Sequence, residues 1–134
     1  MQKKAKLIIF LCLLLLLPTS CSNTDQTLMP ASTTEQALEI ALDQTGKPYK
    51  WGGRGPDEFD CSGLITWSYK QAVGKEEIFL VDGEIRNDAT MSDLYNYNVQ
   101  MIPVSRIRPG DIVFITKEEG KVTHGGLGSR RKRI

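Results

Sequence analysis

Histidine and cysteine are scarce in this chain of 134 residues, which contains one histidine and three cysteines. Cys12 and Cys21 belong to an N-terminal segment, so Cys61 is the one cysteine of the remaining chain. A single cysteine and the single histidine, His124, fall short of the four ligands of a usual zinc site. We therefore predict no metal, no cofactor and no internal disulfide. Cys61 is either an inert buried residue or a reactive thiol.

An excess of charge of one sign is also missing, since 17 basic residues stand against 16 acidic ones. Lys3, Lys4 and Lys6 lie at the start of the chain, and a second basic cluster lies at 130–133. The part between them is mildly acidic. Nucleic-acid binding depends on basic residues that neutralise phosphates. The charge pattern therefore predicts no nucleic-acid partner.

No apolar run is long enough to span a membrane as a helix. The run from Leu7 to Leu17 is shorter than the ~20 apolar residues that a spanning helix needs. It follows three lysines and precedes small and polar residues, a layout typical of a secretory signal peptide. We predict a signal peptide over residues 1–20.

Cys21 directly follows a small residue in Leu17-Pro18-Thr19-Ser20-Cys21. This string resembles the bacterial lipoprotein signal, in which the cysteine is acylated and becomes the new N-terminus, although Pro18 stands where the pattern usually has leucine. An ordinary secreted protein is the alternative. The resemblance implies lipidation at Cys21 and an exported protein anchored by lipid to the bacterial cell membrane, on its periplasmic or outer face. The polar residues that follow have no periodic apolar pattern, which predicts a flexible tether over 21–31.

Two helices are predicted in the body of the chain. Ser32 and Glu35 have the spacing of a capping box, and apolar residues then repeat at helical spacing, which predicts a helix over 33–45. A glycine-rich loop over 47–59 follows. Asp60 can cap a second helix that runs to about residue 73, with a buried face formed by Leu64, Ile65, Tyr69 and Ala72.

The second half of the body is less regular. Residues 78–81 form either a strand or a packed loop, and residues 89–95 form one helical stretch. After a turn at 108–111, the continuous apolar run over 112–115 predicts a strand that is buried on both faces. A reversal over 117–121 then leads into a returning strand that begins at 122–124 and carries His124.

Cys61 and His124 are the candidate catalytic pair. Cys61 lies in the first turn of its predicted helix, where free N–H groups and partial positive charge favour a thiolate, although a carboxylate at Asp60 opposes this in part. His124 projects from one face of a sheet. A helix that packs on that face brings the thiol and the imidazole together, as nucleophilic catalysis requires. A packed small residue and a structural histidine are the alternatives.

Several strings in the same order support the catalytic interpretation. They are Gly46-Lys47-Pro48-Tyr49-Lys50-Trp51-Gly52-Gly53, Phe59-Asp60-Cys61-Ser62-Gly63-Leu64-Ile65, Arg108-Pro109-Gly110-Asp111-Ile112-Val113-Phe114 and Val122-Thr123-His124. Together they resemble the signature of the NlpC-type family of bacterial cell-wall cysteine peptidases, over about residues 34–124. The resemblance implies an α+β, papain-like fold with helices packed on a small antiparallel sheet. It also implies hydrolysis of amides in peptidoglycan peptides.

The resemblance also implies the roles of individual residues. Cys61 corresponds to the nucleophile and His124 to the general base. Tyr49 corresponds to a tyrosine that lines the site, and Asp60 and Ser62 to residues that help to hold a free amine of the substrate. For Asp60, a plain helix cap is an equally good interpretation. Peptidoglycan peptides and a membrane, through the lipid, are the expected partners.

The C-terminal part departs from the family pattern. We predict an incomplete peptidase domain over 32–124 and a basic tail over 125–134, out of frame or able to bind anionic lipid headgroups. In the family, a further strand supplies a polar residue that orients the imidazole. Without it the sheet is incomplete and activity is impaired. A non-catalytic protein that binds wall peptides, and a Cys–His enzyme for acyl transfer or deamidation, are the alternative functions.

Overall fold

A computed structural model of the chain describes residues 31–118 and 120–129. The signal peptide, Cys21, nearly all of the tether and the basic cluster at 130–133 lie outside the described residues, so what was inferred for them stays a prediction. The described part combines helices with antiparallel hairpins, which confirms the α+β class. None of its helices has the length and apolar character needed to cross a membrane.

Helix α1 spans Thr33–Leu42 and begins with the predicted capping box. The Ser32 hydroxyl accepts a hydrogen bond from the N–H of Glu35, whose carboxylate in turn accepts one from the N–H of Ser32. The helix ends before residue 45, the predicted end. Tighter hydrogen bonds, from the N–H of Gln44 to Ala41 and from that of Thr45 to Leu42, replace the helical ones there.

Helix α2 spans Cys61–Val73, between the cap at Asp60 and the left-handed Gly74 (φ 69°). Ile65 is fully buried as predicted, whereas the other three residues of the predicted face are half-buried. The small polar residues Thr66 and Ser68 are buried as well. The buried surface is wider than one face because α1, the glycine-rich loop and the second hairpin all pack around this helix.

The segment after α2 forms a hairpin, which decides between the two interpretations of residues 78–81. Strand β1 spans Phe79–Val81 and strand β2 spans Glu84–Arg86. Their two-residue turn, Asp82-Gly83, has positive φ angles of 51° and 84°, as a type I′ turn requires.

The predicted helical stretch over 89–95 is divided in two. A short helix α3 at Met91–Asp93, capped by Thr90, continues as a π-helical turn over Leu94–Asn98. A 3₁₀ turn at Val104–Arg106 follows.

Strand β3 spans Ile112–Glu118 and pairs with strand β4, Lys121–Leu127, so that Ile115 lies opposite His124. The prediction that the first of these strands is buried on both faces was wrong. Val113 is 37% exposed and Ile115 is 55% exposed. The strand alternates because one of its faces, with Ile112 and Phe114, packs against the core.

Strand β4 continues past His124 to Leu127, within the segment predicted to be a basic tail without strand character. Gly125 pairs with Phe114 and Gly126 with Val113. This correction has a simple cause, since backbone pairing does not need an alternating side-chain pattern. Leu127 adds a contact with the core.

The core joins α2, the first hairpin and α3. Its buried members are Ile65, Phe79, Val81, Ala89, Met91 and Leu94. Cys61 is among the partly buried residues that pack against this cluster. The catalytic candidate at the start of α2 therefore lies at the edge of the core, where one side of it faces outward.

Candidate active site

The glycine-rich loop is held in a defined shape by its own backbone. The N–H of Lys50 donates to the carbonyl of Phe59, and the N–H of Asp60 donates to the carbonyl of Gly53 (both 2.9 Å). The buried ring of Phe59 makes an edge-to-face contact with Trp67 of α2, with the ring centroids 5.5 Å apart. These contacts attach the loop to α2 and set the position of the helix start.

Gly63 lets the first turn of α2 approach this loop closely. A Cβ atom at position 63 would overlap the carbonyl oxygen of Gly53. No flexible side-chain end is available to move aside there, because the obstacle is backbone. The contact brings Cys61, the first residue of α2, to a fixed place beside the loop.

Cys61 has a free, half-buried thiol at the N-terminus of a helix of 13 residues. N–H groups of a first helical turn have no acceptor within the helix, and they carry partial positive charge. The position suits a thiolate and an oxyanion that forms next to it.

Asp60 caps this helix and is saturated with hydrogen bonds. Its Oδ1 accepts from Arg54 Nη1 (2.7 Å), Ser62 Oγ (2.9 Å) and Gly63 N (2.7 Å), and its Oδ2 accepts from Gly52 N (3.0 Å). Burial by itself raises the pKa of the Asp60 carboxyl. The surrounding donors and the Arg54 charge outweigh burial and hold that pKa below its usual value.

Arg54 is the site residue that the sequence analysis missed. Its Nε donates to Asp88 Oδ2 at 2.7 Å, so the guanidinium joins two carboxylates that are far apart in sequence. Burial lowers the pKa of Arg54, but pairing with Asp88 and Asp60 outweighs this and raises it, so the side chain stays charged. An arginine within a glycine-rich loop was the visible signal, although nothing in the sequence pointed to Asp88.

His124 lies on β4 and its residue is exposed. The neighbouring Thr123 hydroxyl donates to the carbonyl of Ile115 across the hairpin (3.1 Å). Between residues 31 and 129, residue 119 aside, no side chain forms a hydrogen bond with the His124 imidazole. The orienting partner that a catalytic imidazole usually has is therefore absent from this part of the chain.

One cavity of about 430 Å³ brings the candidate residues together. Cys61 and His124 both line it, together with Tyr49 and Asp60. Ser62 does not line it, because its side chain is buried and its hydroxyl faces Asp60 and Arg54. Tyr49 is 62% exposed at the mouth of the cavity. The other walls come from α1 and the residues after it, from α2, and from Gly125, Gly126 and Leu127.

The chemistry available in this cavity is nucleophilic. A thiol at a helix N-terminus and an imidazole line this one cavity, and these are the two kinds of group that a Cys–His pair requires. No group of three or more histidine, cysteine, aspartate or glutamate side chains in the described segments has the arrangement of a metal site.

Comparisons with known proteins agree with this geometry. A family model described as the NlpC/P60 family matches residues 46–129. The murein DD-endopeptidase MepH of Escherichia coli (strain K12) is 35% identical over 97 residues, which cover 70% of this chain and 32% of that protein. The probable endopeptidase p60 of Listeria grayi is 33% identical over 110 residues, which cover 82% of this chain and 19% of that protein.

Solved structures show the same likeness. NlpC2 from Trichomonas vaginalis matches with a TM-score of 0.56 and 27% identity, over 77% of this chain and 36% of that chain. The likeness confirms the papain-like fold that the sequence motifs implied. The chain spans no more than 36% of the length of each of these relatives. Since the matched family region covers more than half of the sequence, the chain belongs to the NlpC/P60 family.

Proposed function

We propose that this protein is a cysteine endopeptidase that hydrolyses amide bonds in peptidoglycan stem peptides. The observation that carries the proposal is the shared cavity of Cys61 and His124. Family membership supports it, and so does the name of the Escherichia coli relative, a murein endopeptidase. If Cys21 is acylated as predicted, the enzyme acts from a membrane anchor.

The proposed reaction has two steps. The His124 imidazole takes the proton of the Cys61 thiol, and the thiolate attacks the amide carbonyl to form a thioester. The imidazolium returns the proton to the departing amine. A water molecule, deprotonated by His124, then attacks the thioester and releases the carboxylic acid and the free thiol. N–H groups in the first turn of α2 stabilise the oxyanion in both steps.

Substrate contacts are proposed for Tyr49 and, with a restriction, for Asp60. Tyr49 lies at the exposed mouth of the cavity, where it can pack against a peptide. A carboxylate offers about four acceptor positions, and the Asp60 carboxylate already accepts four hydrogen bonds. A contact between Asp60 and a substrate amine therefore requires one of these donors to move.

The test is hydrolysis of purified peptidoglycan by the full chain, with released peptides identified by mass spectrometry. We expect slow turnover, since the His124 imidazole lacks an orienting partner in the described part of the chain. Cys61→Ala should reduce the release to background. Asp57→Ala, at an exposed position of the glycine-rich loop that does not line the cavity, is the matched control and should leave the rate unchanged.

Two results would contradict the proposal. One is equal release of peptides by wild type and by Cys61→Ala. The other is a wild-type chain that sediments with peptidoglycan but releases nothing, which would favour the non-catalytic wall-peptide-binding protein. That second candidate is supported by the His124 imidazole, which has no hydrogen-bond partner among the residues that the structure describes.

A further inference from the structure

We propose that Arg54 is a positioning residue for the nucleophile: it neutralises the Asp60 carboxylate, so that this carboxylate does not oppose a negative charge on the sulfur of the adjacent Cys61. The proposal deepens the function proposed above and rests on Cys61 as its nucleophile. Arg54 touches neither substrate nor reacting atoms in this role and acts through Asp60.

The need for such a residue follows from the position of Asp60. Asp60 directly precedes Cys61, and its carboxylate disfavours a second negative charge on the neighbouring cysteine sulfur. The Asp60 side chain is only 10% exposed, so water screens its charge poorly. A cation at Asp60 removes most of this opposition.

Arg54 meets this need in fixed geometry. Its Nη1 lies 2.7 Å from Asp60 Oδ1 and 3.2 Å from Ser62 Oγ, and its Nε lies 2.7 Å from Asp88 Oδ2. Asp88 is within hydrogen-bond distance of the Thr66 hydroxyl of α2 (3.4 Å). The guanidinium is thus held by Asp60, the cap of α2, and by Asp88, which in turn contacts the second turn of the same helix.

The two carboxylates that hold Arg54 differ in their relation to the cysteine. Asp60 lines the cavity that Cys61 shares with His124, whereas Asp88 lines a separate, smaller hollow with Arg54, Thr66, Lys70 and Asn87. Removing the charge of Asp88 therefore weakens one ion pair of Arg54 and leaves its positive charge beside Asp60. Comparing variants of Asp60 and Asp88 therefore distinguishes an electrostatic role of Arg54 from a purely structural one.

Few other charges face Cys61. In the described part of the chain, the titratable residues that line its cavity are Asp60, His124, Lys47 and Tyr49. Lys47 Nζ is already bonded to Gln44 Oε1 (2.6 Å) and to the carbonyl of Pro56 (2.7 Å). The residues that α1 contributes to the wall, Leu38, Ala41 and Leu42, are uncharged.

The experiment is alkylation of the full chain by iodoacetamide from about pH 5 to about pH 9, the range in which thiols and imidazoles titrate. Mass spectrometry of the peptide that contains Cys61 separates its labelling from that of Cys12 and Cys21. For Arg54→Gln, we expect the pH of half-maximal labelling rate to rise by about one unit. Arg54→Lys keeps the charge and should stay within about 0.3 units of wild type.

Asp88→Asn is the matched control, and its profile should stay in place or move to lower pH. The double variant Arg54→Gln/Asp60→Asn removes both charges and should restore the wild-type profile, because asparagine is also a good helix cap. An unchanged profile in a folded Arg54→Gln variant would overturn the proposal. So would an equal upward movement in Asp88→Asn.

Circular dichroism establishes whether each variant is folded. If Arg54→Gln does not fold, Asp60→Asn alone decides the matter: it removes the carboxylate next to Cys61 and leaves Arg54 paired with Asp88, so labelling should move to lower pH, and an unchanged profile would overturn the proposal. Labelling needs no hydrolysis. A failure of this inference is therefore distinguishable from a failure of the proposed peptidase function.

Discussion

The two parts of the molecule that carry the candidate catalytic side chains are built differently. The cysteine half consists of the glycine-rich loop with Asp60 and the first turn of α2, and the histidine half is the β3–β4 hairpin. In the cysteine half, the buried, hydrogen-bonded carboxylate of Asp60 and the close contact of Gly63 with Gly53 fix the start of α2. In the histidine half, His124 is exposed on a hairpin that pairs with no third strand in the described residues.

The difference shows how each half depends on the rest of the fold. The cysteine half is organised mostly by contacts between residues close to one another in sequence. The pairing of Arg54 with Asp88 is the exception. The histidine half is held by the apolar contacts of one strand face, while Val113 and Ile115 on the other face are exposed. Two-stranded sheets are marginally stable by themselves, so β4 depends on packing against α2 and α3.

The largest expected effect tests the close contact in the cysteine half. Gly63→Ala adds a methyl group where the carbonyl of Gly53 already lies, and should destabilise the protein by about 3 kcal/mol. Without this contact, the same change in a helix interior would stabilise by about 1 kcal/mol. Denaturant unfolding measures the difference.

Gly126→Ala is the control in the histidine half. A Cβ at that position meets nothing within 4 Å, so the free energy of unfolding should change by no more than about 0.5 kcal/mol. Equal effects of the two substitutions would show that the halves are packed alike.

A smaller effect is expected from Asp60→Ala. The substitution removes the cap of α2 and leaves Arg54 with one carboxylate, so the free energy of unfolding should fall by about 2 kcal/mol at pH 7. Asp57→Ala, an exposed aspartate of the same loop, is the control and should have little effect.

The pH dependence sharpens this test. Because the folded-state pKa of Asp60 is lowered, its contribution to stability is fully present above the usual value of 3.8 and is lost as the pH falls through the lower folded value. Unfolding curves at neutral pH and below pH 3.8 should therefore show wild type losing more stability than Asp60→Ala. Parallel losses in the two proteins would contradict the buried pairing of Asp60.

The smallest effect on stability is expected from His124→Ala. The exposed residue makes no side-chain hydrogen bond within the described segments, so the free energy of unfolding should change by no more than about 0.5 kcal/mol. Peptidoglycan hydrolysis should nevertheless fall to background. A large loss of stability would show that the imidazole has a structural partner and that the two halves are more alike than they appear in the fold.

Local patterns predicted much of this molecule correctly. The Ser32–Glu35 box, the Asp60 cap and the end of α2 near residue 73 were all predicted, because each depends on hydrogen bonds within a few residues. The Asp82-Gly83 turn was equally local, since that dipeptide is a strong hairpin signal and favours a strand over a loop at residues 78–81. The π-helical turn after α3 had no such signal.

Burial, and pairing between residues far apart in the chain, were harder to predict from the sequence. The apolar run at 112–115 has the composition of a strand covered on both faces, and only the packing of the hairpin shows that one face is exposed. The pair of Arg54 and Asp88 joins residues 34 positions apart, and neither has a sequence neighbour that marks it.

By itself, the sequence determined where α1 and α2 start and where α2 ends, which thiol and imidazole were available, and which family the motifs resemble. These follow from local hydrogen bonding and from the identity of single residues. The tertiary structure alone decided that Cys61 and His124 line one cavity, that Arg54 pairs with Asp88, and that β4 extends to Leu127. The physical reason is that each of these features depends on contacts between residues far apart in the chain. A local sequence pattern shows which residues are neighbours along the chain, but not which distant residues come into contact.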